Sequence, residues 1–112
     1  AEPAYTSAGD LPCKYVIHAV GPIWGSGDEE RKLTDAVRGS IQLANELGLA
    51  SVTLPAISCG IYRYPEDQAS RIIIRTISQE LDKESALEKV RLILFSIDSM
   101  ETFIDAWEET AA

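Results

Sequence analysis

The sequence has few cysteines, few basic residues and no long apolar run. Each of these shortages argues against a particular class of protein. Only Cys13 and Cys59 occur in 112 residues, a spacing that fits neither a metal motif nor a disulfide framework. No apolar run reaches the roughly 20 residues of a membrane-spanning helix, and the start lacks the basic and apolar regions of a signal peptide. We therefore expect a reducing cytoplasmic setting, no membrane contact, no metal and no cofactor.

Acidic residues outnumber basic ones by 18 to 10, and the net charge is −8. This balance argues against a broad surface for nucleic acid or an anionic membrane, because both need a basic field. A small phosphorylated ligand stays compatible, since backbone N–H groups can hold a phosphate without formal charge. The length suits one domain, which we place over residues 1–112.

Three short runs rich in β-branched and apolar residues predict strands buried on both faces, as in a parallel sheet covered by helices. They cover Tyr15 to Val20, Val52 to Ile57 and Val90 to Phe95. A helical pattern with apolar residues at steps of three and four follows each of them. The order β-α-β-α-β-α predicts an α/β fold with right-handed crossovers.

The predicted helices have recognisable ends. Ser26 to Glu29 is compatible with a capping box at the start of the first helix, and Gly48 is placed to end it. Pro65 opens the second helix, and Ser99 is a reasonable N-cap for the third. In the third helix, the spacing places Trp107 in the core.

Ligands of an open α/β sheet usually lie beyond the carboxyl ends of its strands. Three loops of this sequence follow predicted strands and are candidates for such a site. The most informative loop follows the second strand. Its small residues, Ser58 to Gly60, let the backbone approach a ligand and adopt unusual dihedral angles. The next helix start adds a dipole that favours an anion. The pattern predicts a phosphate loop, but it matches neither the P-loop motif nor the dinucleotide glycine motif.

Two segments carry the most specific patterns of the chain: LPCKYVIHAVGP at residues 11–22 and SVTLPAISCGIYRYP at residues 51–65. They resemble the two signatures of the macro domain family, LP-x-KYVIHxVGP and S-x-x-x-PAIS-x-GIYGYP, at the family's usual separation. The similarity extends to the end of the third helix. The resemblance implies a three-layer α/β/α sheet, here truncated to three βα units. An N-terminal edge strand before Tyr15 would extend this sheet.

The resemblance also implies a ligand-binding set, position by position. The loop after the second strand matches the family's loop around the diphosphate and distal ribose of ADP-ribose, which acts largely through main-chain N–H groups. Phe95 lies where macro domains often place an aromatic ring against adenine. The next two residues are expected at the same end of the site. The implied set is Ser58, Cys59, Gly60, Ile61, Tyr62, Phe95, Ser96 and Ile97. Arg63 is a departure, because a glycine is common at that position.

The family's first strands have no counterpart in this sequence. In the family, these strands carry an acidic residue that binds the adenine amino group. They also lead into an Asn- and Gly-rich loop that holds the catalytic groups, so no catalytic residue can be assigned in this sequence. One of those strands lies between the strands at Tyr15 and Val52 in the family sheet. The two strands must then pair directly, or a second chain must fill the gap, because each buried unpaired backbone group costs roughly 1–3 kcal/mol. We expect an atypical homo-oligomer, a strand-swapped dimer or a fragment of a longer gene product.

Three functions remain open. The first is binding of ADP-ribose or of an ADP-ribosylated protein without catalysis. The second is an ADP-ribosyl hydrolase or O-acetyl-ADP-ribose deacetylase whose missing half was removed or lies in another chain. The third is a self-associating fragment without a ligand. His18, in an apolar strand, is expected to be a hydrogen-bonded core residue, and Cys59 a small loop residue rather than a nucleophile.

Overall fold

The computed structural model describes residues 4–7, 9, 15–19, 21–59, 63–83, 87–94 and 96–111. It has four strands, β1 (Ala4–Ser7), β2 (Tyr15–His18), β3 (Ser51–Pro55) and β4 (Lys89–Ile93). Its helices are α1 (Glu29–Glu46), α2 (Glu66–Leu81) and α3 (Ile97–Ala111). From β2 onward, this is the predicted order of alternating strands and helices, and β1 is an edge strand before Tyr15.

The strands form two separate pairs. β1 and β2 are antiparallel, with Tyr5 opposite Ile17, whereas β3 and β4 are parallel, with Leu54 opposite Leu92. Within the described ranges, no pairing joins β2 to β3. Of the two arrangements expected from the sequence, direct pairing of these strands is therefore not the one that the described residues adopt.

β3 has one buried face and one exposed face. Side chains alternate along a strand, and Val52 and Leu54 are turned towards the core while Ser51 and Thr53 are exposed. The expectation of strands buried on both faces is therefore wrong for β3. Its second face carries polar side chains, over which the described part of the chain places no packed layer.

The core lies mainly along the contact between α1 and α2. From α1, Leu33 and Val37 are fully buried, and from α2 Ile73 is fully buried. These positions belong to the apolar stripes that the sequence predicts, and they pack with Leu54 of β3 in one cluster. Burial of such a side chain contributes about 1.5–3 kcal/mol, so this contact holds the two helices against the sheet.

α3 begins earlier than expected and buries less of its surface. Its N-cap is Ser96 rather than Ser99, because the Ser99 N–H donates to Ser96 Oγ at 3.1 Å. The helix buries Phe103 and Ala106. Trp107, which we expected in the core, is 54% exposed, because only a narrow face of α3 packs against its neighbours.

The ends of the other helices follow the sequence in part. Asp28 caps α1 in a left-handed conformation without a side-chain cap bond. Glu29 instead accepts hydrogen bonds from the N–H groups of Gly25 and Gly27, at 3.0 and 3.1 Å, so the expected capping box does not form. Gly48, with φ of 71°, follows the end of α1 as predicted.

Candidate functional site

The loops after β3 and β4 lie at the same edge of the sheet. The two strands are parallel, and their last residues, Pro55 and Ile93, are partners in the register. Ser58 and Ser96 each follow three residues later. The fold therefore brings the two halves of the predicted ligand-binding set to one edge, as the topology of a parallel sheet requires.

The described residues of the loop after β3 begin with a turn, and main-chain hydrogen bonds hold them together. The Ser58 carbonyl accepts from the Tyr64 N–H at 2.9 Å, and the Cys59 N–H donates to the Ala56 carbonyl at 3.2 Å. In this conformation the Cys59 N–H is therefore engaged within the turn. Ser58 and Arg63 both have left-handed backbone angles, with φ of 67° and 60°, which cost residues other than glycine on the order of 1–3 kcal/mol.

The loop after β2 packs directly against this turn through Gly21. A Cβ added at Gly21 would overlap the side chains of Ser58 and Ile57, so only glycine fits there without a shift. The Ser58 Oγ is buried at this contact and has no hydrogen-bond partner among the described residues. A buried hydroxyl without a partner costs about 1–3 kcal/mol, and such a group calls for an explanation.

Two aromatic rings pack against each other near this turn. The ring centroids of Trp24 and Tyr64 are 4.9 Å apart, and the rings are tilted by 55°. Tyr64 is buried and Trp24 is 41% exposed. Burial, followed by the nearby carboxylates of Glu29 and Glu30, raises the pKa of Tyr64. Tyr64 is thus a packing residue beneath Trp24, which presents its outer surface to solvent.

Cys59 carries a protonated thiol at neutral pH. Burial of the side chain raises its pKa from the ordinary value of 9.0 to about 11, with a smaller contribution from the Glu66 carboxylate. The thiolate is the nucleophilic form of cysteine. The site therefore holds Cys59 in its unreactive state.

The helix starts near this edge already carry negative charge. Glu66 and Asp67 lie in the first turn of α2, and Asp98 lies in that of α3. These carboxylates interact favourably with the helix dipoles, so they offset the attraction that those dipoles would exert on an anion. An anion at this edge would therefore depend on individual N–H and hydroxyl groups.

Ser96 and Ile97 occupy the start of α3. The Ser96 hydroxyl donates to Ser99 Oγ at 3.2 Å as well as accepting from the Ser99 N–H, so its side chain serves the helix cap. Ile97 is 73% exposed and offers an apolar surface at the sheet edge. The other predicted ligand-binding residues, Gly60, Ile61, Tyr62 and Phe95, lie outside the described residues.

Sequence reasoning gave no role to Gly21. The available signal for Gly21 was its position directly after the first predicted strand, where glycine often marks a close backbone approach. His18, expected in the core, is exposed. It directly follows Ile17, which packs on the core, and successive side chains of a strand point to opposite faces.

A cavity lies elsewhere, between β2 and β3. Its volume is about 660 Å³, and neither Ser58 nor Ser96 lines it. Its walls include the strand residues themselves, so it is a gap in the sheet rather than a cleft over the loops. Among the described residues, no group of His, Cys, Asp or Glu side chains could hold a metal ion. No helix in the described ranges has the length and apolarity to cross a membrane.

Comparison with known proteins identifies consistent relatives. The family model described as Macro domain matches residues 1–73. A macro domain-containing protein of Caldanaerobacter subterraneus subsp. tengcongensis is 42% identical over 106 residues, which are 93% of this chain and 60% of that protein. An O-acetyl-ADP-ribose deacetylase of Klebsiella pneumoniae is 42% identical over 109 residues, which are 96% of this chain and 56% of the relative.

The fold has close counterparts among solved structures. A variant of the Oceanobacillus iheyensis macrodomain, solved with ADPR, superposes with a TM-score of 0.92 at 31% identity. The match covers 98% of this chain and 60% of that one. The predicted α/β fold is confirmed by this likeness. The chain thus spans little more than half the length of the relatives that it matches, and it corresponds to their C-terminal part.

Proposed function

This chain belongs to the macro domain family, and on that premise we propose that it binds ADP-ribose or ADP-ribosyl groups at the edge formed by the loops after β3 and β4. The observation that carries the proposal is the buried Ser58 hydroxyl, which has no partner among the described residues and lies against Gly21. A ligand oxygen would satisfy this group when the Ser58 side chain turns out of its contact with Gly21. We treat residues 1–112 as one partial macro domain.

The proposed site has two ends. Ser58 and Cys59, together with Gly60 to Tyr62, would surround the diphosphate and the distal ribose. Phe95, Ser96 and Ile97 would line the adenine end, where the exposed Ile97 side chain supplies apolar surface. Free ADP-ribose and an ADP-ribosylated protein both carry this chemistry.

Electrostatics favours a compact ligand that is held by neutral groups. The chain carries a net charge of −8, and acidic residues occupy the first turns of α1, α2 and α3. A long polyanion would be repelled by this surface. A single diphosphate held by hydroxyl and N–H donors in a tight turn avoids most of that repulsion, because the interaction is short-ranged and directional.

Hydrolysis of an ADP-ribosyl ester is the second candidate function. The observation in its favour is the 42% identity to an O-acetyl-ADP-ribose deacetylase. This chain, however, spans 56% of that relative, and the Cys59 thiol is protonated at neutral pH. Cys59 is therefore not poised to act as the nucleophile of such a reaction.

Calorimetry with ADP-ribose tests the proposed function, and a turnover assay separates its two forms. We expect saturable binding of ADP-ribose and no release of acetate from O-acetyl-ADP-ribose by the 112-residue chain alone. Release of acetate would replace the binding proposal by the enzymatic one. Absence of heat at high micromolar ADP-ribose would favour the third alternative, a fragment without a ligand.

A further inference from the structure

The carboxylate of Glu29 closes the loop between β2 and α1. One of its oxygens, Oε1, accepts hydrogen bonds from the N–H groups of Gly25 and Gly27, at 3.0 and 3.1 Å. Hydrogen bonds to an ionised acceptor are stronger than those between neutral groups. These two bonds, which we call the Glu29 clamp, therefore hold the segment that directly precedes α1.

The backbone of this segment adopts angles that its surroundings must hold. Gly25 and Gly27 have φ of 90° and 94°, and Asp28, which is not a glycine, has φ of 58°. A Cβ added at either glycine would meet no atom within 4 Å, so the dihedral angle and not the space favours glycine there. A residue such as Asp28 stays in the left-handed region only where the surrounding structure holds it. The Glu29 clamp encloses this residue and supplies part of that support.

The Glu29 clamp lies directly beside Trp24. On one side of this residue, the Ile23 carbonyl accepts from both the N–H and the hydroxyl of Ser26, at 3.1 and 2.6 Å. On the other side, the Gly25 N–H donates to Glu29. Both neighbours of Trp24 in the chain are thus engaged in hydrogen bonds, which restricts the directions in which its ring can point.

Tyr64 connects Trp24 to the turn after β3. The centroid of its ring lies 4.9 Å from that of Trp24, and its N–H donates to the Ser58 carbonyl at 2.9 Å. Tyr64 is only 4% exposed, so its ring has little room to move independently of its neighbours. A change in the position of the Trp24 ring should therefore alter the turn that carries Ser58.

We propose that Glu29 is a positioning residue for the binding of ADP-ribose. Its clamp holds Trp24 against Tyr64, and this contact keeps the turn that carries Ser58 in the shape that receives a diphosphate. The effect on ADP-ribose rests on the proposed function. The effect of the clamp on the loop and on the turn does not, because both are measurable without any ligand.

The Glu29 carboxylate is ionised at neutral pH, the state in which it accepts hydrogen bonds most strongly. Its pKa is lowered from the ordinary value of 4.5, first by its own N–H and by that of Gly27, and further by the Gly25 N–H and the charge of Lys32. Desolvation opposes this change. Burial, and then the Glu29 carboxylate, raise the pKa of Tyr64, so the clamp and the Tyr64 ring are close enough to interact.

A simpler explanation is that Glu29 only stabilises α1, since acidic residues in a first turn interact favourably with the helix dipole. Glu30 provides the control, because it lies in the same turn and its carboxylate instead accepts from Arg75 of α2 at 3.1 Å. The dipole alone predicts similar effects for the two residues. The proposed role predicts that only Glu29 affects the loop and the turn.

Amide hydrogen exchange of the ¹⁵N-labelled chain by NMR tests the clamp without ligand. In Glu29→Ala, the Gly25 and Gly27 amides should exchange at least about fivefold faster, the effect of one lost hydrogen bond at each N–H. The Tyr64 amide should also exchange faster, whereas Glu30→Ala should change none of the three. Glu29→Gln keeps an oxygen acceptor without the charge, so it should lie between Glu29→Ala and the unmodified chain; it also serves if Glu29→Ala does not fold. Unchanged exchange of these amides in the Glu29 variants would overturn the proposal.

Calorimetry with ADP-ribose tests whether Glu29 acts through Trp24. We expect Glu29→Ala to weaken binding about threefold or more and Glu30→Ala to change it little. In the double variant of Glu29→Ala with Trp24→Ala, the loss should be no greater than in Trp24→Ala alone, because residues that act through one contact are not additive. Additive losses would contradict the proposal.

The two measurements separate the failure of this proposal from the failure of the proposed function. If the unmodified chain binds ADP-ribose but exchange at Gly25, Gly27 and Tyr64 does not respond to Glu29→Ala, only the role of Glu29 is wrong. If the unmodified chain binds no ADP-ribose, the proposed function fails and the role of Glu29 in binding fails with it. The Tyr64 amide then still shows whether the clamp holds the turn.

Discussion

Gly21 and Ser58 are packed so closely that a Cβ at position 21 would overlap the Ser58 side chain. The two residues belong to loops that follow different strands, β2 and β3, which are not paired with each other within the described ranges. This contact is a direct link between the two strand pairs at the candidate site. It couples the position of the loop after β2 to the shape of the proposed diphosphate turn.

Gly21→Ala tests this coupling. The added methyl group must displace Ser58 and Ile57, and overpacking of this kind costs about 1–3 kcal/mol. We expect a lower midpoint of urea unfolding and weaker binding of ADP-ribose. In the double variant Gly21→Ala with Ser58→Gly, part of the stability should return, because the overlapping hydroxymethyl group is gone. A Gly21→Ala variant with unchanged stability and affinity would show that the close approach has no consequence.

Arg63→Gly should stabilise the protein. Arg63 has a φ of 60°, and glycine adopts this left-handed region without the steric cost of a Cβ. The gain should be about 1 kcal/mol, reduced by the greater flexibility of glycine in the unfolded chain. Arg63→Ala is the matched control, since it removes the charge and keeps the Cβ. If alanine stabilises the protein as much as glycine in urea unfolding, the backbone explanation is wrong.

The reactivity of Cys59 should depend on pH in a defined way. Because burial raises its pKa to about 11, the thiolate fraction, and with it the alkylation rate, should rise about tenfold per pH unit up to roughly pH 10. An ordinary thiol levels off near its pKa of 9.0. Iodoacetamide labelling followed by mass spectrometry separates Cys59 from Cys13. Glu66→Gln should increase the labelling rate, because the Glu66 carboxylate opposes the thiolate. A rate that levels off near pH 9, as for an ordinary thiol, would contradict the buried environment.

Ser96→Ala should destabilise α3, whereas Ser99→Ala should do so much less. Ser96 Oγ accepts from the Ser99 N–H at 3.1 Å, and loss of such an N-cap costs about 0.5–2 kcal/mol. The Ser99 side chain contributes only the contact between the two hydroxyl groups. Urea unfolding of the two single variants compares their stabilities. A larger loss of stability for Ser99→Ala would show that Ser99, the residue expected from the sequence, is the N-cap.

The sequence predicts those parts of the fold that depend on local pattern. The apolar stripes of α1 and α2 appear as expected, because Leu33, Val37 and Ile73 follow helical spacing and are fully buried. These side chains pack against other apolar residues of the same two stripes, so the sequence pattern alone identifies the core. The parallel pairing of β3 and β4 follows from the alternation of strands and helices in the same way.

Other features depend on contacts that the sequence does not display. Trp107 and His18 are exposed because little of the protein packs against the faces that carry them. The spacing of residues within one helix or strand does not show what packs against it. The N-cap of α3 shifted by one turn, because Ser96 and Ser99 are equally suitable types and only the observed hydrogen bond distinguishes them. The contact of Gly21 with Ser58 joins two distant loops, so a single sequence offers no local pattern for it.

The most direct test of the proposed binding site is an NMR titration of the ¹⁵N-labelled chain with ADP-ribose. The account predicts saturable shifts of the amides of Ser58, Cys59 and Ile97, with little change at Ser51 and Thr53, which line the cavity between β2 and β3. Shifts confined to that cavity, or no saturable shift at the turn after β3 at millimolar ligand, would contradict it.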